Sequence, residues 1–242
     1  MGFLLKRLAP FFLPPQCGCC GDFLEEAAQG ICPRCLSNVH WIRPPFCSVC
    51  GVPFSSPEME NHPCGACLTR KNHFATARAV ASYDGSLRKM IHRWKYQEKS
   101  HLTPLFGEWL QDALIRHWPS SFFDLIVPVP LHVKRLRRRG FNQALLLAKV
   151  LSRKTGIPYG MRVLRKKKAT PPQVNLSRRE REREIRGAFF VKDPSKVKGK
   201  TVLLVDDVMT TGATVNECSK VLRVEGASSV HVLTLGRTLI GL

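Results

Sequence analysis

Residues 202–214, Val-Leu-Leu-Val-Asp-Asp-Val-Met-Thr-Thr-Gly-Ala-Thr, constrain the fold of this chain more than any other stretch. The apolar run from Val202 to Val205 reads as a central strand of a parallel sheet, buried on both faces. It ends in two consecutive carboxylates, Asp206 and Asp207, after which a turn of small residues opens a helix. That order of strand, turn and helix aims backbone N–H groups at an anion. The threonine hydroxyls of the turn add donors, and Gly212 lets the backbone approach closely. The site falls at the carboxyl end of a strand, where open α/β sheets bind ligands. Two acids repel a phosphate and need another partner. The hydroxyls of a sugar, with Mg²⁺ nearby, supply one. An ordinary strand–turn–helix whose acids only cap and face solvent accounts for a lone Asp-Asp pair, but not for the whole string.

The chain around this stretch alternates in the same way. Residues 78–83 read as a strand, and residues 87–96 as a helix with Leu87, Met90, Ile91 and Trp94 at helical spacing. Residues 102–118 form a second helix, 124–129 a buried strand, and 141–154 a strongly apolar helix. The polar, proline-containing stretch 166–184 reads as a long surface loop with a helical piece. Strands follow at 185–191 and 201–206, then a helix at 214–225 closed by Gly226, and a last strand at 229–235. Strands alternating with helices specify an α/β fold, a parallel sheet covered on both faces, across residues 76–242.

Residues 16–70 differ in kind. Eight of the ten cysteines fall there in four C-x-x-C pairs: Cys17/Cys20, Cys32/Cys35, Cys47/Cys50 and Cys64/Cys67. Repeated thiol pairs at this spacing point to metal rather than disulfides, and four thiolates in tetrahedral array suit Zn²⁺. Two structural zinc ions are expected. Pairing in chain order joins the first pair to the second and the third to the fourth; cross-bracing of the first with the third is the alternative. Cys19 is spare, since Cys20 completes the C-x-x-C, and His40 and His62 read as surface residues. A Cys-rich segment of about 50 residues has too little core to fold without metal. Reduced thiolates place the chain in the cytoplasm. Cys218, on the helix after the turn, is expected to be buried and inert. Residues 1–15, apolar but interrupted by Lys6-Arg7, read as a lead-in helix rather than a secretory signal. No stretch reaches the roughly 18 apolar residues that span a membrane.

The 242 residues carry a formal net charge of +20, and its placement is informative. Residues 131–200 hold 22 lysines and arginines against four acids, so almost all of the excess lies in one segment. Its clusters, 134–139 and 165–168, face anions. Residues 178–183 alternate in sign like a salt-bridged helix. About five or six cations suffice for a pyrophosphate, and the remainder points to a polyanion. Only 8% of residues are aromatic, and Phe141, Trp94 and Tyr96 read as packing positions. A single-stranded nucleic acid would then be tracked by its backbone, without base reading.

Residues 202–214 resemble the phosphoribosyl pyrophosphate motif of type I phosphoribosyltransferases. Further segments narrow the resemblance to the ComF/GntX family of competence and DNA-utilisation proteins: 83–96 (YDGSLRKMIHRWKY), Val127-Pro128-Val129-Pro130-Leu131, Arg139-Gly140-Phe141-Asn142-Gln143-Ala144, Thr170-Pro171-Pro172-Gln173 and Arg186-Gly187-Ala188-Phe189. The cysteine module is similar to the double zinc ribbon at the front of that family. The resemblance implies a type I phosphoribosyltransferase fold whose turn, Thr210, Thr211, Gly212, Ala213 and Thr214, holds the sugar's phosphate. It implies Asp206 and Asp207 as the acids on the ribose hydroxyls. Pro130, Leu131 and His132 would form the pyrophosphate loop, with a mobile basic loop at 166–183; Arg139, Lys168 and Gln173 would join the closure over that group. It further implies Mg²⁺, a link to DNA uptake or to the use of DNA as a nutrient, single-stranded DNA as a partner, and DNA-processing proteins such as a helicase. Glu184 departs from the family's pattern, which often has Asn shortly before Gly-Ala-Phe.

Chemistry at such a site would be departure of pyrophosphate from an anomeric carbon. The transition state is oxocarbenium-like, favoured by cations on the leaving group and by exclusion of water. The sequence shows no acceptor pocket and no general base. Two readings therefore stand: a Mg²⁺-dependent phosphoribosyltransferase with an unidentified acceptor, and a non-catalytic ligand sensor or DNA-binding scaffold on the same fold. A plain zinc-ribbon DNA-binding protein leaves the phosphate turn unexplained.

Overall fold

The computed structural model describes residues 15–24, 30–56, 58, 60–96, 101–119, 121–167 and 178–239. Two short helices, α1 (Pro33–Ser37) and α2 (Gly65–Thr69), belong to the cysteine module. Next come β1 (Thr76–Ser82), α3 (Gly85–Tyr96), α4 (Leu102–His117), β2 (Leu125–Pro128), α5 (Val133–Arg139) and α6 (Gln143–Thr155). The chain continues through β3 (Leu164–Lys166), α7 (Arg178–Ile185), β4 (Phe189–Val191), β5 (Thr201–Met209), α8 (Ala213–Val224) and β6 (Ser229–Arg237). Four strands form one parallel sheet in the order β1-β6-β5-β2. β5 is central, and α8 carries the chain from it to its neighbour β6, the crossover that parallel strands require.

The sheet is buried on both faces, and the strand period of two sorts each side chain to a face. Leu203 and Val205 of β5, with Leu233 and Leu235 of β6, pack against α3, α4 and α6. Val202 and Leu204, with Val230 and Val232, pack against α8 and the β3–β4 hairpin. All eight of these side chains are fully buried. Helix α3 contributes Leu87, Met90, Ile91 and Trp94 to the first face, the stripe its spacing predicts. Helices α4 and α6 approach closely because Gly107 has no side chain: a Cβ there would run into Val150.

The cysteine module is part of the same core. Cys17, Cys19, Leu24, Ile31, Cys35 and Val39 of its first half join the α3/α4 face. Cys47, Cys50 and Phe74, from its second half and the link to β1, join the α8 face. Each half is therefore attached to one side of the sheet, at the β1 edge: Ile42 donates to the Val80 carbonyl and Ala77 to that of Val49.

Four expectations need correction. The strand expected at 185–191 is only Phe189–Val191; Ile185 ends α7, and β4 pairs antiparallel with β3 in a separate two-stranded sheet. Gly187, with φ of 64°, breaks the chain direction between them. The strand expected to stop at Asp206 continues to Met209, because pairing with β6 persists through Met209 and Arg237. The helix expected from Phe141 begins at Gln143, after the separate helix α5, which ends at Gly140 with φ of 80°. Tyr96, expected to pack, is 56% exposed. The lead-in helix, residues 1–14 at least, and Lys168 and Gln173 lie outside the described residues. None of the described helices is long and apolar enough to cross a membrane.

Candidate functional site

The acids and the turn meet at the carboxyl end of β5. Asp206 and Asp207 are consecutive strand residues, so their side chains leave the sheet on opposite faces. Asp207 turns toward α3, where its Oδ2 lies 2.8 Å from Nζ of Lys95; both side chains are about 15% exposed. Burial works against the Lys95 ammonium, but Asp207 beside it outweighs that penalty and raises its pKa. Asp206 faces the other way, and its Oδ1 accepts from the Asp207 amide at 2.9 Å. Burial first, and the neighbouring Asp207 charge second, push the Asp206 carboxyl up to about 8. Near neutrality Asp206 therefore keeps its proton, and Lys95 is the internal cation beside Asp207.

The turn after Met209 has the geometry expected of it. Gly212 caps α8 with φ of 80°, a left-handed conformation natural to glycine. The Thr211 hydroxyl accepts from the Ala213 amide at 3.4 Å. Thr210, Thr211, Gly212, Ala213 and Thr214 are all partly exposed, at the N-terminus of a 12-residue helix. Anchoring comes from both sides: Thr238 donates to the Met209 carbonyl, and Asn216 to that of Gly212.

The proposed pyrophosphate loop lies on the neighbouring strand. Val129 donates to the carbonyl of Val205, which holds the end of β2 beside the acids, and Pro130, Leu131 and His132 follow it. The His132 Nδ1 caps α5 by accepting from the Lys134 amide at 3.2 Å. Arg139, at the end of α5, is held by Tyr96 and Gln143. Its guanidinium lies 5.1 Å above the Tyr96 ring and donates to Tyr96 Oη and Gln143 Oε1 at 3.1 and 2.9 Å. Lys166, on β3, sits over the Phe189 ring at 5.4 Å. Burial and then Arg135 lower its pKa to about 8, opposed by Cys218 and Asp206. Cys218 is fully buried, as expected, and burial raises its thiol well above its usual range.

The eight paired cysteines form two groups in chain order, Cys17, Cys20, Cys32 and Cys35, and Cys47, Cys50, Cys64 and Cys67. Within each group the sulfurs lie within 4.8 Å of one another. The Cys20–Cys32 and Cys50–Cys64 separations are both 3.8 Å. A zinc ion about 2.3 Å from four sulfurs requires edges of about 3.8 Å, so both groups fit Zn²⁺. Backbone amides already serve the thiolates. Cys17 Sγ accepts from the amides of Cys19 and Cys32, and Cys47 Sγ from those of Cys50 and Cys64. Burial opposes ionisation of Cys17 and Cys47, yet backbone amides, foremost those of Cys20 and Cys50, bring each down to about 6. Cys19 stands outside its group, with its Sγ 3.9 Å from the Ser86 carbonyl. His40 and His62 are exposed and take no part.

Two functional candidates escaped sequence reading. Lys95 lies four residues after Ile91, on the apolar stripe of α3; a lysine there signals a buried partner. Arg237 closes the apolar run of β6 and is 9% exposed, with its Nη2 3.3 Å from the Cys50 sulfur.

A parallel α/β sheet with an acid pair, a small-residue turn at a helix N-terminus and two Cys₄ groups defines a phosphoribosyltransferase-type domain carrying a double zinc ribbon. Family models agree: residues 8–68 match the double zinc ribbon domain and residues 139–239 the phosphoribosyl transferase domain. The DNA utilization protein YhgH of Salmonella typhimurium is 34% identical over 94% of this chain and 99% of its own length. Competence protein F of Haemophilus influenzae is 32% identical over 92% of this chain and 96% of its own. Competence protein ComFC of Bacillus subtilis is 27% identical, covering 89% of this chain and 88% of its own. The chain belongs to this family of competence and DNA-utilization proteins.

Proposed function

We propose that the chain binds phosphoribosyl pyrophosphate in the cytoplasm, with the phosphate in the turn Thr210–Thr214 and the ribose hydroxyls on Asp206 and Asp207, and serves the handling of incoming DNA. The observation that carries this reading is the acid pair set directly before a left-handed glycine turn at the end of a central strand. The turn offers amides and hydroxyls to a dianion. The acids accept hydrogen bonds from hydroxyls, and Lys95 holds Asp207 in place and offsets its repulsion of the phosphate.

The acids do not fit an open Mg²⁺ site in the free chain. Asp207 is occupied by Lys95, and Asp206 retains its proton near neutrality. Mg²⁺ is therefore expected to arrive on the oxygens of the pyrophosphate itself. The Cys₄ groups, in contrast, fit Zn²⁺, which would join each ribbon's four cysteines into a rigid unit.

Lys134 and Arg137 on α5, and Arg165 and Lys167 around β3, are exposed. Lys134 and Arg137 directly follow the pyrophosphate loop in sequence, and the exposed cations of both clusters support binding of a polyanion. The names of the relatives, competence protein and DNA utilization protein, favour single-stranded DNA as that polyanion, with DNA-processing proteins such as a helicase acting on the same strand.

Calorimetric titration with phosphoribosyl pyrophosphate and Mg²⁺ tests the sugar site. Saturable heat is expected from the native chain and strongly weakened heat from Asp206→Asn/Asp207→Asn; equal heats remove the assignment. Release of pyrophosphate on adding acceptors separates an enzyme from a sensor.

A further inference from the structure

Between the second ribbon and the phosphate turn lies a cavity of about 640 Å³. We propose that it is a ligand pocket beside the phosphate turn, and that it takes a small flat organic acid whose carboxylate pairs with Arg237. This rests on reading the turn Thr210–Thr214 as the cradle of the phosphosugar, because the cavity opens along that turn: Thr210, Thr211, Gly212 and Ala213 line one side.

The floor carries the main argument. Arg237 lines the cavity and is 9% exposed. Its Nη2 donates to Cys50 Sγ, while its Nε and Nη1 are buried with no hydrogen-bond partner among the described residues. A buried guanidinium with two donors unmet is costly, and such groups are almost always satisfied. The guanidinium fork matches a planar carboxylate, which accepts two parallel hydrogen bonds.

The walls say what the carboxylate is attached to. Phe54, Phe74, Ile185 and Met209 give the cavity apolar surfaces suited to a ring. Its size falls within the range of small-molecule sites, which combine apolar walls with a few placed polar groups. Lys71, Arg186 and Lys220 add exposed cations at the rim. The one carboxylate among the lining residues, Glu217, accepts from the Gly187 amide at 2.7 Å. The cavity thus favours an anion despite the ribbon thiolates beside it. Apolar walls favour an organic acid over a bare inorganic ion.

Nicotinate and nicotinamide share a ring and differ in the charge of the head group, so they serve as probes. Each is titrated into the zinc-loaded full chain, alone and after saturation with phosphoribosyl pyrophosphate, with inorganic phosphate as a third arm. Nicotinate is expected to bind about tenfold more tightly than nicotinamide. Arg237→Met is expected to erase that difference and leave the heat of phosphoribosyl pyrophosphate intact. Equal binding of the two probes, an unchanged preference in Arg237→Met, or, in the chain saturated with phosphoribosyl pyrophosphate, phosphate binding in preference to nicotinate would overturn the proposal without touching the sugar site. Loss of phosphoribosyl pyrophosphate binding with the acid preference retained would instead strike the sugar site alone. Zinc content is measured for each variant, since Arg237 touches a cysteine of the ribbon. Should Arg237→Met lose zinc, Lys71→Ala/Lys220→Ala decides: a severalfold loss of nicotinate affinity supports the pocket, and unchanged affinity overturns it.

Discussion

Lys95 Nζ and Asp207 Oδ2 lie 2.8 Å apart in a largely buried pair that joins helix α3 to the carboxyl end of β5. The pair ties the YDGSLRKMIHRWKY stretch to the acid pair, although more than 100 residues separate them in sequence. It also leaves Asp207 with a partner before any ligand arrives.

Removing that partner should be costly. In Lys95→Met, Asp207 loses its ion-pair partner in a poorly solvated position beside Asp206. A loss of about 3 kcal/mol is expected, the scale for stripping one member from a buried ion pair. Urea melts of the single variants and of Lys95→Met/Asp207→Asn measure this. The double variant should recover much of the loss, and additive losses would show that the two residues do not interact.

Asp206 makes stability fall as pH rises. Its folded pKa, about 8, is above that of the unfolded carboxyl near 4, so between these values the folded chain binds the extra proton. Stability from this group is complete below about pH 4 and is lost progressively up to about pH 8. Asp206→Asn removes the dependence. The variant should gain on the native protein between pH 5 and pH 8 in urea melts, and a constant difference across that range would contradict the assignment.

Gly212 should matter more to ligand than to fold. At φ of 80° any side chain carries strain of about 1–2 kcal/mol, and a Cβ there would lie 2.9 Å from the flexible end of Met209. Gly212→Val should fold, melt a few degrees lower, and lose most of its calorimetric affinity for phosphoribosyl pyrophosphate. Native affinity in that variant would mean that the turn does not hold the phosphate.

Zinc should be needed on both faces of the sheet. The two Cys₄ groups contribute to different core clusters, so losing either ion should loosen a different side. Metal analysis is expected to return two zinc ions per chain. Cys47→Ser should return one, with hydrogen exchange accelerated around α8 rather than α4. One zinc ion or none in the native chain would break the two-ribbon account.

The sequence made much of this legible where the signal is local. Val202–Val205 reads as an interior strand and four C-x-x-C pairs as metal knuckles rather than disulfides, with pairing in chain order one of two closures. Signals that depend on tertiary partners were hidden. Nothing near Asp206 in the chain reveals that β6 extends the strand to Met209. Phe189–Val191 reads like another core strand because its burial comes from α8 and the β3 hairpin instead of the main sheet. Tyr96 looks like a packing residue until Arg139 is found above its ring. Arg237 and the cavity it lines require the second ribbon to be folded against the turn, a juxtaposition of residues nearly 190 positions apart.

The most direct test is the electron density of crystals soaked with phosphoribosyl pyrophosphate and Mg²⁺. The account predicts the sugar's phosphate on the amides of residues 211–214, the ribose hydroxyls on Asp206 and Asp207, and Asp207 still within reach of Lys95. A ligand bound elsewhere, with the turn empty and both acids facing away from it, would contradict it.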